Sequence, residues 1–457
     1  MESSEKPILK LKLLVDRKTN KVVLAEAGKD FVDVLFGFMA LPMGTIVRLL
    51  EKNSRNQKSQ ATRPATIGCF NNLYKSVVDM DDDDFMTEAS KDMLLYPKFV
   101  KEKQCRQLKL YIGDDTEEFK VPEGVCDELF VSQKTSFHIT ETMEVVEFAS
   151  IMIARRILLR LGYDSFKKLD IMTVDVGHEE VLSLLHCLFF SETPFTDVFL
   201  KKHSSCGMTR SHDIPVEDGE GGKYFVTIPP TVYVQKQDQE DLYAESRQEF
   251  RGSFLKKHSS CVEDEGEAGG PNEVVSLTIF VRRQDRKVLY AESGQDFVDL
   301  LFTFLAIPLE SVWEITGSDI KLGCIGNFCR SMKNLSSSGG TNASSNTCML
   351  PLQYSLQKSL LGVSYLNNDG SCQLTSHSNS GIVKRGATYM ITDDLTITAA
   401  NSCSTISLLE KLHTNLSYME EHVINISKAE AINLLNASLV TSTPLTTTLS
   451  LLDEYEC

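Results

Sequence analysis

A thirty-residue string occurs twice in this chain, so any fold proposed for one occurrence must also serve the other. Leu13 to Pro42 (LLVDRKTNKVVLAEAGKDFVDVLFGFMALP) returns as Ile279 to Pro308 (IFVRRQDRKVLYAESGQDFVDLLFTFLAIP), ungapped, with 16 of 30 residues identical. Self-similarity on this scale marks a duplicated domain rather than a short solenoid repeat. The register continues with IGCFNNLYKSV (Ile67 to Val77) against LGCIGNFCRSM (Leu322 to Met332), after the second copy loses 11 residues. FHITETM (Phe137 to Met143) then matches YMITDDL (Tyr389 to Leu395), and Leu184-Leu185 through Thr193-Pro194 matches Leu434-Leu435 through Thr443-Pro444. The copies are collinear and domain-sized.

Within one copy, Leu9 to Val15 and Lys21 to Ala25 are apolar-rich runs split by Asp16-Arg17-Lys18-Thr19-Asn20, which predicts a β-hairpin. Asp30 then stands where a residue would cap a helix, with Asp33 in its first turn at the positive end of the dipole. Phe31, Leu35, Phe38 and Met39 form an apolar stripe expected to face the hairpin, and Pro42 ends the helix. The later half reads as a strand near Phe137 to Ile139, a helix near Ile151 to Leu161 closed by Gly162, a strand Ile171 to Val176 and a helix through Val181, Leu184, Leu185 and Leu188. Ser427-Lys428-Ala429-Glu430 is a capping box, and Thr193-Pro194 and Thr443-Pro444 fit an N-cap followed by Pro at the first helical position. The fold class is therefore α+β: two homologous tandem domains, each a β-hairpin plus helix followed by a strand-helix-strand-helix half with a short βαβ-like stretch.

The first domain spans residues 1–200 and the second 274–457. Between them, 201–273 carries nine basic and fourteen acidic residues with little apolar periodicity, the composition of a disordered linker. FLKKHSSC occurs in it twice, from Phe199 and from Phe254, and VQKQDQEDLYAESRQEF (Val234 to Phe250) echoes the second hairpin without its helix. We read that echo as a degenerate, inert copy. Residues 331–380, rich in Ser, Asn, Thr and Gly, are expected to be a long surface loop.

Composition narrows the function classes. At 42% hydrophobic and 24% charged, the chain can bury sizeable cores. A formal charge of −16 lacks the footprint of phosphate-backbone binding, which argues against nucleic acid and anionic membrane as partners. The N-terminal MESSEKPILKLKLL lacks the basic-then-apolar order of a signal peptide, and no window reaches a membrane span. The expectation is a soluble cytoplasmic protein whose twelve Cys are mostly reduced thiols. Lys201-Lys202 and Lys256-Lys257 are short for nuclear import signals, so the nucleus stays the alternative compartment.

The string V-x-x-A-E-x-G-x-D-F-V-D-x-L-F-x-F, the Leu-Pro or Ile-Pro after it and the T-P-[FL]-T near each copy's end resemble a plant family known as domain of unknown function 674. The resemblance covers nearly the whole chain outside the linker. It implies a plant protein, often built from tandem repeats, with no established activity, cofactor or catalytic set.

Candidate chemistry is sparse. Glu26, Asp30 and Asp33, with their copies Glu292, Asp296 and Asp299, have the residue types for acid-base work or metal binding, but capping explains both Asp residues. The run Asp79, Asp81, Asp82, Asp83 and Asp84 lacks EF-hand spacing and reads as a solvated acidic loop. Cys69 aligns with Cys324, Cys105 loosely with Cys348 and Cys126 with Cys372, yet no CxxC pair or matching His completes a zinc site. Cys324 and Cys329 form a C-x4-C pair in the second copy alone, since Tyr74 stands at the second thiol's place in the first. His178-Glu179-Glu180 misses the second His of a zincin, because Leu182 stands there and His186 comes four residues late. Gly219 to Lys223 fails the Walker pattern at Glu217 and Tyr224. Lone Trp313 is expected in the core. No catalytic residue, cofactor or metal is assigned. The leading reading is a non-enzymatic interaction or scaffold module with an unknown protein partner. The alternative is an enzyme or small-molecule binder with its site in the cleft between the repeats. Oligomeric state is open.

Overall fold

The computed structural model describes residues 7–56, 66–113, 130–131, 136–148, 150–201, 214–217, 223–226, 274–317, 320, 322–336, 347–348, 359–362, 364–365, 381–401, 406–407, 410 and 419–449. The degenerate hairpin at 234–250 and most of 331–380 lie outside these residues.

Strict alternation makes the first hairpin. In β1 (Leu9–Asp16), Leu9, Leu11 and Leu13 point to the core while Lys10 and Lys12 point to solvent. Its partner β2 (Lys21–Ala27) pairs antiparallel, and the turn closes through Asn20 at φ 50 and through Asp16 Oδ1, which accepts from Lys18 N at 2.8 Å. Helix α1 (Lys29–Ala40) follows, then α2 (Met43–Asn56), α3 (Phe70–Asp79), α4 (Glu88–Leu95) and the single turn α5 (Glu102–Cys105). Strands β3 (Phe137–Thr140) and β4 (Val145–Glu147), helix α6 (Ile151–Arg160), β5 (Leu169–Val176) and α7 (His178–Phe190) complete the repeat. The sheet order is β4-β3-β2-β1-β5, with antiparallel neighbours throughout.

This order corrects the βαβ-like expectation. Strands β4 and β5 run in the same direction but occupy opposite edges of the sheet, so α6 carries the chain across a whole face instead of joining two paired strands. Leu158 of α6 packs with Val23 and Leu169 in a small cluster, joined by Leu14 and Tyr163, on the face away from Leu11 and Leu13. Gly162 ends α6 at φ 85, as its position predicts.

In the second repeat, β8 (Val275–Arg282) and β9 (Val288–Ser293) lead into α8 (Gln295–Ala306), α9 (Leu309–Ile315) and α10 (Ile325–Ser336). Strands β10 (Tyr389–Thr392), β11 (Ile397–Ala399) and β12 (Met419–Ile426) follow, with α11 (Lys428–Val440) and α12 (Pro444–Leu449) at the end. Its sheet order, β11-β10-β9-β8-β12, reproduces the first. Pro444 opens α12, and Ser427 N donates to Glu430 Oε2 at 2.9 Å, the reach-back of a capping box. Strand labels β6 (Ile214–Glu217) and β7 (Lys223–Val226) belong to an antiparallel pair inside 201–273, where a disordered linker is expected. Short β-forming runs on either side of a Gly-rich stretch of sequence account for it. Met1–Lys202 and Glu273–Cys457 together form one compact unit, to which His203–Asn272 does not belong.

The two repeats therefore share one core, and three observations show how. First, α1 is buried on every side from Phe31 to Ala40, and α8 from Phe297 to Ala306. The stripe expected to face the hairpin is thus only part of the buried surface: Phe36 meets Phe328 and Met39 meets Cys329 of the other repeat, while Gly37 lies against Leu108 of its own. Second, the Leu-Pro and Ile-Pro dipeptides meet in an antiparallel bridge between Pro42 and Pro308, where Met43 N donates to Ile307 O and Leu309 N to Leu41 O, both at 3.0 Å. Third, the Gly-Cys pair ahead of α3 and α10 closes a helix of the opposite repeat. Cys69 N donates to Ser438 O at 2.8 Å in α11, and Cys324 N donates to Leu188 O at 2.9 Å in α7. Both acceptors lie in a last helical turn, whose carbonyls have no partner in their own helix. Asn72 Nδ2 adds a bond to Asp394 O, and Asn327 Nδ2 one to Thr142 O. Ser76 Oγ accepts from Ile397 N at 2.8 Å, and Ser331 Oγ from Val145 N at 3.0 Å. Each helix thus completes the sheet edge and helix end of the other repeat.

Helix α10 also corrects the loop expected at 331–380, since its first six residues are helical. Ile325, Phe328, Cys329 and Met332 recur at helical spacing and hold the segment against the first repeat. Among the described residues no helix is long and apolar enough to cross a membrane.

The exchange has a testable cost. Gly68 (φ 47) and Gly323 (φ 49) are left-handed, and an added Cβ would lie 2.1 Å from Ser438 O and 2.4 Å from Leu188 O. Gly162 is equally left-handed but faces open space. Gly68→Ala or Gly323→Ala should cost about 3 kcal/mol or more, combining strain with a backbone clash, against about 1 kcal/mol for Gly162→Ala. Urea denaturation checks this, and equal losses at all three positions would refute the tight seating of the Gly-Cys pairs.

Candidate functional site

The acids of the duplicated string separate in space. Glu26 stands on the strand face beside Lys12, with which it forms an ion pair of 3.1 Å. Asp30 is solvent-exposed and pairs with Lys109. Asp33 is 2% exposed and faces inward. Neither aspartate caps α1: the N-cap is Gly28, and Asp33 Oδ1 instead accepts from Phe130 N and Val131 N, both at 3.1 Å. The capping explanation is corrected here, and the reason is distance along the chain, because the segment held by Asp33 lies nearly a hundred residues away. The second copy repeats the device. Asp299 accepts from Ile382 N and Val383 N at 3.0 Å each.

The two copies differ in what neutralises the carboxylate. Lys29 Nζ lies 3.0 Å from Asp33 Oδ2, whereas Gln295 Nε2 donates to Asp299 Oδ2 at 3.1 Å. Burial raises both carboxyls above the usual range; with Lys29 opposing it the Asp33 shift is the smaller, and Asp299, facing only neutral N–H donors, is pushed up to about 7.

The T-P-[FL]-T string is a second lock. A register shift in the first hairpin between Leu14 and Val15 leaves Val22 N to an outside acceptor, and Thr196 Oγ1 accepts it at 2.8 Å. Thr196 N donates to Glu141 Oε1 at 2.9 Å. In the second copy Val288 N donates to Thr446 Oγ1 at 2.9 Å, and Thr446 N and Oγ1 donate to Asp393 Oδ1 and Oδ2. Burial raises the carboxyls of Glu141, to about 7, and of Asp393. These perturbed groups hold chain segments together.

The remaining candidates are likewise placed. The thiols of Cys69 and Cys324 donate to Thr441 O and Ser191 O at 3.2 Å, and burial pushes both up to about 12, so they are protonated donors at the exchange contacts. Cys105 and Cys187 are held up to about 12 in the same way, and buried Cys329 sits 3.5 Å from Met39 Sδ. Cys126 lies outside the described residues, as do Cys372 and Gly219 to Gly222, and of the Cys348 side chain nothing is described. His178 is exposed and His186 lies two turns further along α7, its ring 4.8 Å from that of Phe190. The acidic run is a docked turn: Lys91 pairs with Asp82, and Asp84 O accepts from Lys384 N at 2.9 Å in the other repeat. Trp313 is in the core, 4% exposed, with Lys333 Nζ 5.7 Å above its ring. Among the described residues no group of three or more His, Cys, Asp or Glu could hold a metal ion.

A groove and a helix face are open to a partner among the described residues. A groove of about 490 Å³ runs between the repeats, with Glu144, Val145 and Ile153 on one wall and Asn327, Arg330 and Asn334 on the other. The outer face of α6 exposes Ile151, Met152 and Leu159 around Arg155 and Arg156. Sequence reasoning named a cleft between the repeats without its residues and passed over the α6 face. The α6 string, IMIARRILLR, carried the signal: Ala154, Ile157 and Leu158 fill one buried stripe, and the surplus apolar residues must face outward. The groove had no such signal, since its walls come from residues far apart in sequence.

The ion pair beneath α1 gives a pH-dependent prediction. Lys29→Gln leaves Asp33 buried without its cation, which should cost about 2 kcal/mol at pH 7. The loss requires an ionised Asp33, so it should shrink as the pH falls toward the ordinary carboxylate range near pH 4. Urea midpoints at pH 4.5 and 7.5 measure it, and a cost independent of pH would remove the ion pair from the account.

No curated protein and no solved structure matches the chain. A family model described as a protein of unknown function, DUF674, matches residues 5–126, 116–255, 251–378 and 365–429. The matches run through both repeats, and the chain belongs to the DUF674 family as a member with a duplicated domain.

Proposed function

We propose that this protein is a non-enzymatic interaction module and that the outer face of α6 docks an acidic, apolar segment of a partner protein. The observation carrying this reading is the composition of that face: Ile151 is 65% exposed, Met152 57% and Leu159 52%, and they surround Arg155 and Arg156. Large exposed side chains clustered on one rigid helix mark an interaction surface, and Arg is enriched at such surfaces. Charge selects the partner. The chain as a whole is at −16, yet α6 carries three Arg and no acid. Arg160 is committed to Glu144, while Arg155 and Arg156 form no ion pair among the described residues. The buried carboxylates support a role without chemistry, since each is committed to a backbone lock. The reading places the protein in the cytoplasm, where its thiols remain reduced.

A fluorescent amphipathic peptide of Glu and Leu is the probe. Fluorescence anisotropy should show binding that weakens about tenfold in Arg155→Glu/Arg156→Glu and falls with added salt. Ile151→Ser/Leu159→Ser should weaken it with the melting temperature unchanged. Equal affinity for all forms, or binding to anionic vesicles in place of the peptide, would overturn the reading.

The groove between the repeats favours a second reading, a small-molecule binder at that cleft. Its polar walls and inter-repeat position suit a ligand of modest size. A metabolite pool that raises the melting temperature of the wild type and not of Arg330→Ala/Asn334→Ala would select it; a pool without effect would exclude it.

A further inference from the structure

The contacts that join the two repeats fall into two sets, and only the second tells one repeat from the other. The first set is reciprocal. Cys69 N with Ser438 O has its counterpart in Cys324 N with Leu188 O, and Ser76 Oγ with Ile397 N in Ser331 Oγ with Val145 N. Each uses a backbone group of the other repeat, so a pair of like repeats would make them as readily as an unlike pair.

Three contacts have no counterpart among the described residues. The acidic turn of the first repeat crosses to the second: Phe85 bridges Val383, Lys384 N donates to Asp84 O at 2.9 Å, and Met86 N donates to Ile382 O at 3.0 Å. Phe85 is 1% exposed and stacks on Phe302. The second repeat has no acidic run in its sequence with which to return that contact. Lys101 Nζ lies 3.4 Å from Glu310 Oε2, and both side chains are partly buried. Glu310 stands two residues after the shared Pro, where the first repeat has Gly44. Gly44 approaches the other repeat closely, since a Cβ there would lie 3.1 Å from Leu305 O. Two second repeats would therefore crowd Glu310 onto that carbonyl. Two first repeats would leave Lys101 opposite a glycine in place of its carboxylate.

We infer that the face joining the repeats is a recognition surface for an unlike repeat, and that a second copy of this chain can supply that repeat. The product is a two-chain particle in which each first repeat is completed by the other chain's second repeat. Both junctions reproduce the contacts found within one chain, so no new surface is required. The connection is long enough: residues 203–272 lie outside the unit formed by the repeats, and about 70 residues have a contour length on the order of 230 Å. Pairing within one chain prevails in dilute protein, because the connection keeps the two repeats at high local concentration. Exchange belongs to concentrated protein.

Two full-length variants test this, Lys101→Glu and Glu310→Lys, one of them isotopically labelled. They are refolded from urea separately and together at about 100 μM, near the local concentration that a connection of this length provides, and weighed by native mass spectrometry. Either variant alone sets like charges together at every junction, within a chain or between copies. A mixed pair sets opposite charges together at both junctions. The mixed two-chain particle should be about fivefold more abundant than a two-chain particle of either variant alone. A mixture that stays single-chain, or pairs without regard to charge, would overturn the inference. If the variants do not refold, wild type with a protease site placed between Lys202 and His203 decides. After cutting, the two pieces should remain together as an unlike pair and exchange with a labelled cut sample. Pieces that separate, or that pair like with like, would overturn it as well.

Discussion

The last carbonyls of α7 and α11 have no partner within their own helices, and each receives one from the Gly-Cys pair of the opposite repeat. This reciprocal closure fixes much else in the molecule. It places α3 and α10 against the edge strands β11 and β4, so Ser76 and Ser331 satisfy backbone donors that an edge strand would otherwise expose. It also brings α1 and α8 into the middle, where helices apolar on all sides are soluble only because both repeats cover them. A single repeat would present two unfinished helix ends and one bare helix face. The chain thus resembles a two-fold dimer whose halves have been joined, and the shared core follows from interactions that neither half makes alone.

Much of the local structure was legible because it rests on period and capping. Alternation in Leu9 to Val15 gave the hairpin, helical spacing gave α1 and α7, and the capping box at Ser427 and the Thr-Pro steps gave helix starts. What failed to show was whatever depends on a remote partner. The stripe of Phe31, Leu35, Phe38 and Met39 was visible, but the contacts of Phe36 with Phe328 and of Met39 with Cys329 come from the other repeat. Asp33 looked like a capping residue because the loop it holds lies far along the chain. The strand-helix-strand order was right in sequence and wrong in pairing, since order along a chain does not say which edge of a sheet a strand will join.

The duplicated motifs acquire distinct meanings once their contacts are known. The Thr of T-P-[FL]-T repairs a bulge in the first hairpin of its own repeat, and the Gly-Cys of I-G-C and L-G-C closes a helix in the other. The Asp of F-V-D ties down a returning loop. All three are structural, and together they explain why two copies that agree in 16 of 30 positions over their best segment also agree outside it. Repetition in this chain therefore reports the requirements of a shared core, and it cannot by itself point to a reaction.

Function is better sought where the copies part. Where the first repeat has Lys29 the second has Gln295, and the consequences spread from that exchange. Lysine reaches Asp33 directly and occupies the helix start with an inward-turned cation. Glutamine meets Asp299 through one amide end and receives Arg385 at the other. Asp299 is left with neutral donors and a carboxyl raised further than that of Asp33, a destabilising arrangement that Lys29 softens in the first repeat. The different partners of Asp33 and Asp299 then have one origin, the choice of amide over ammonium at Gln295.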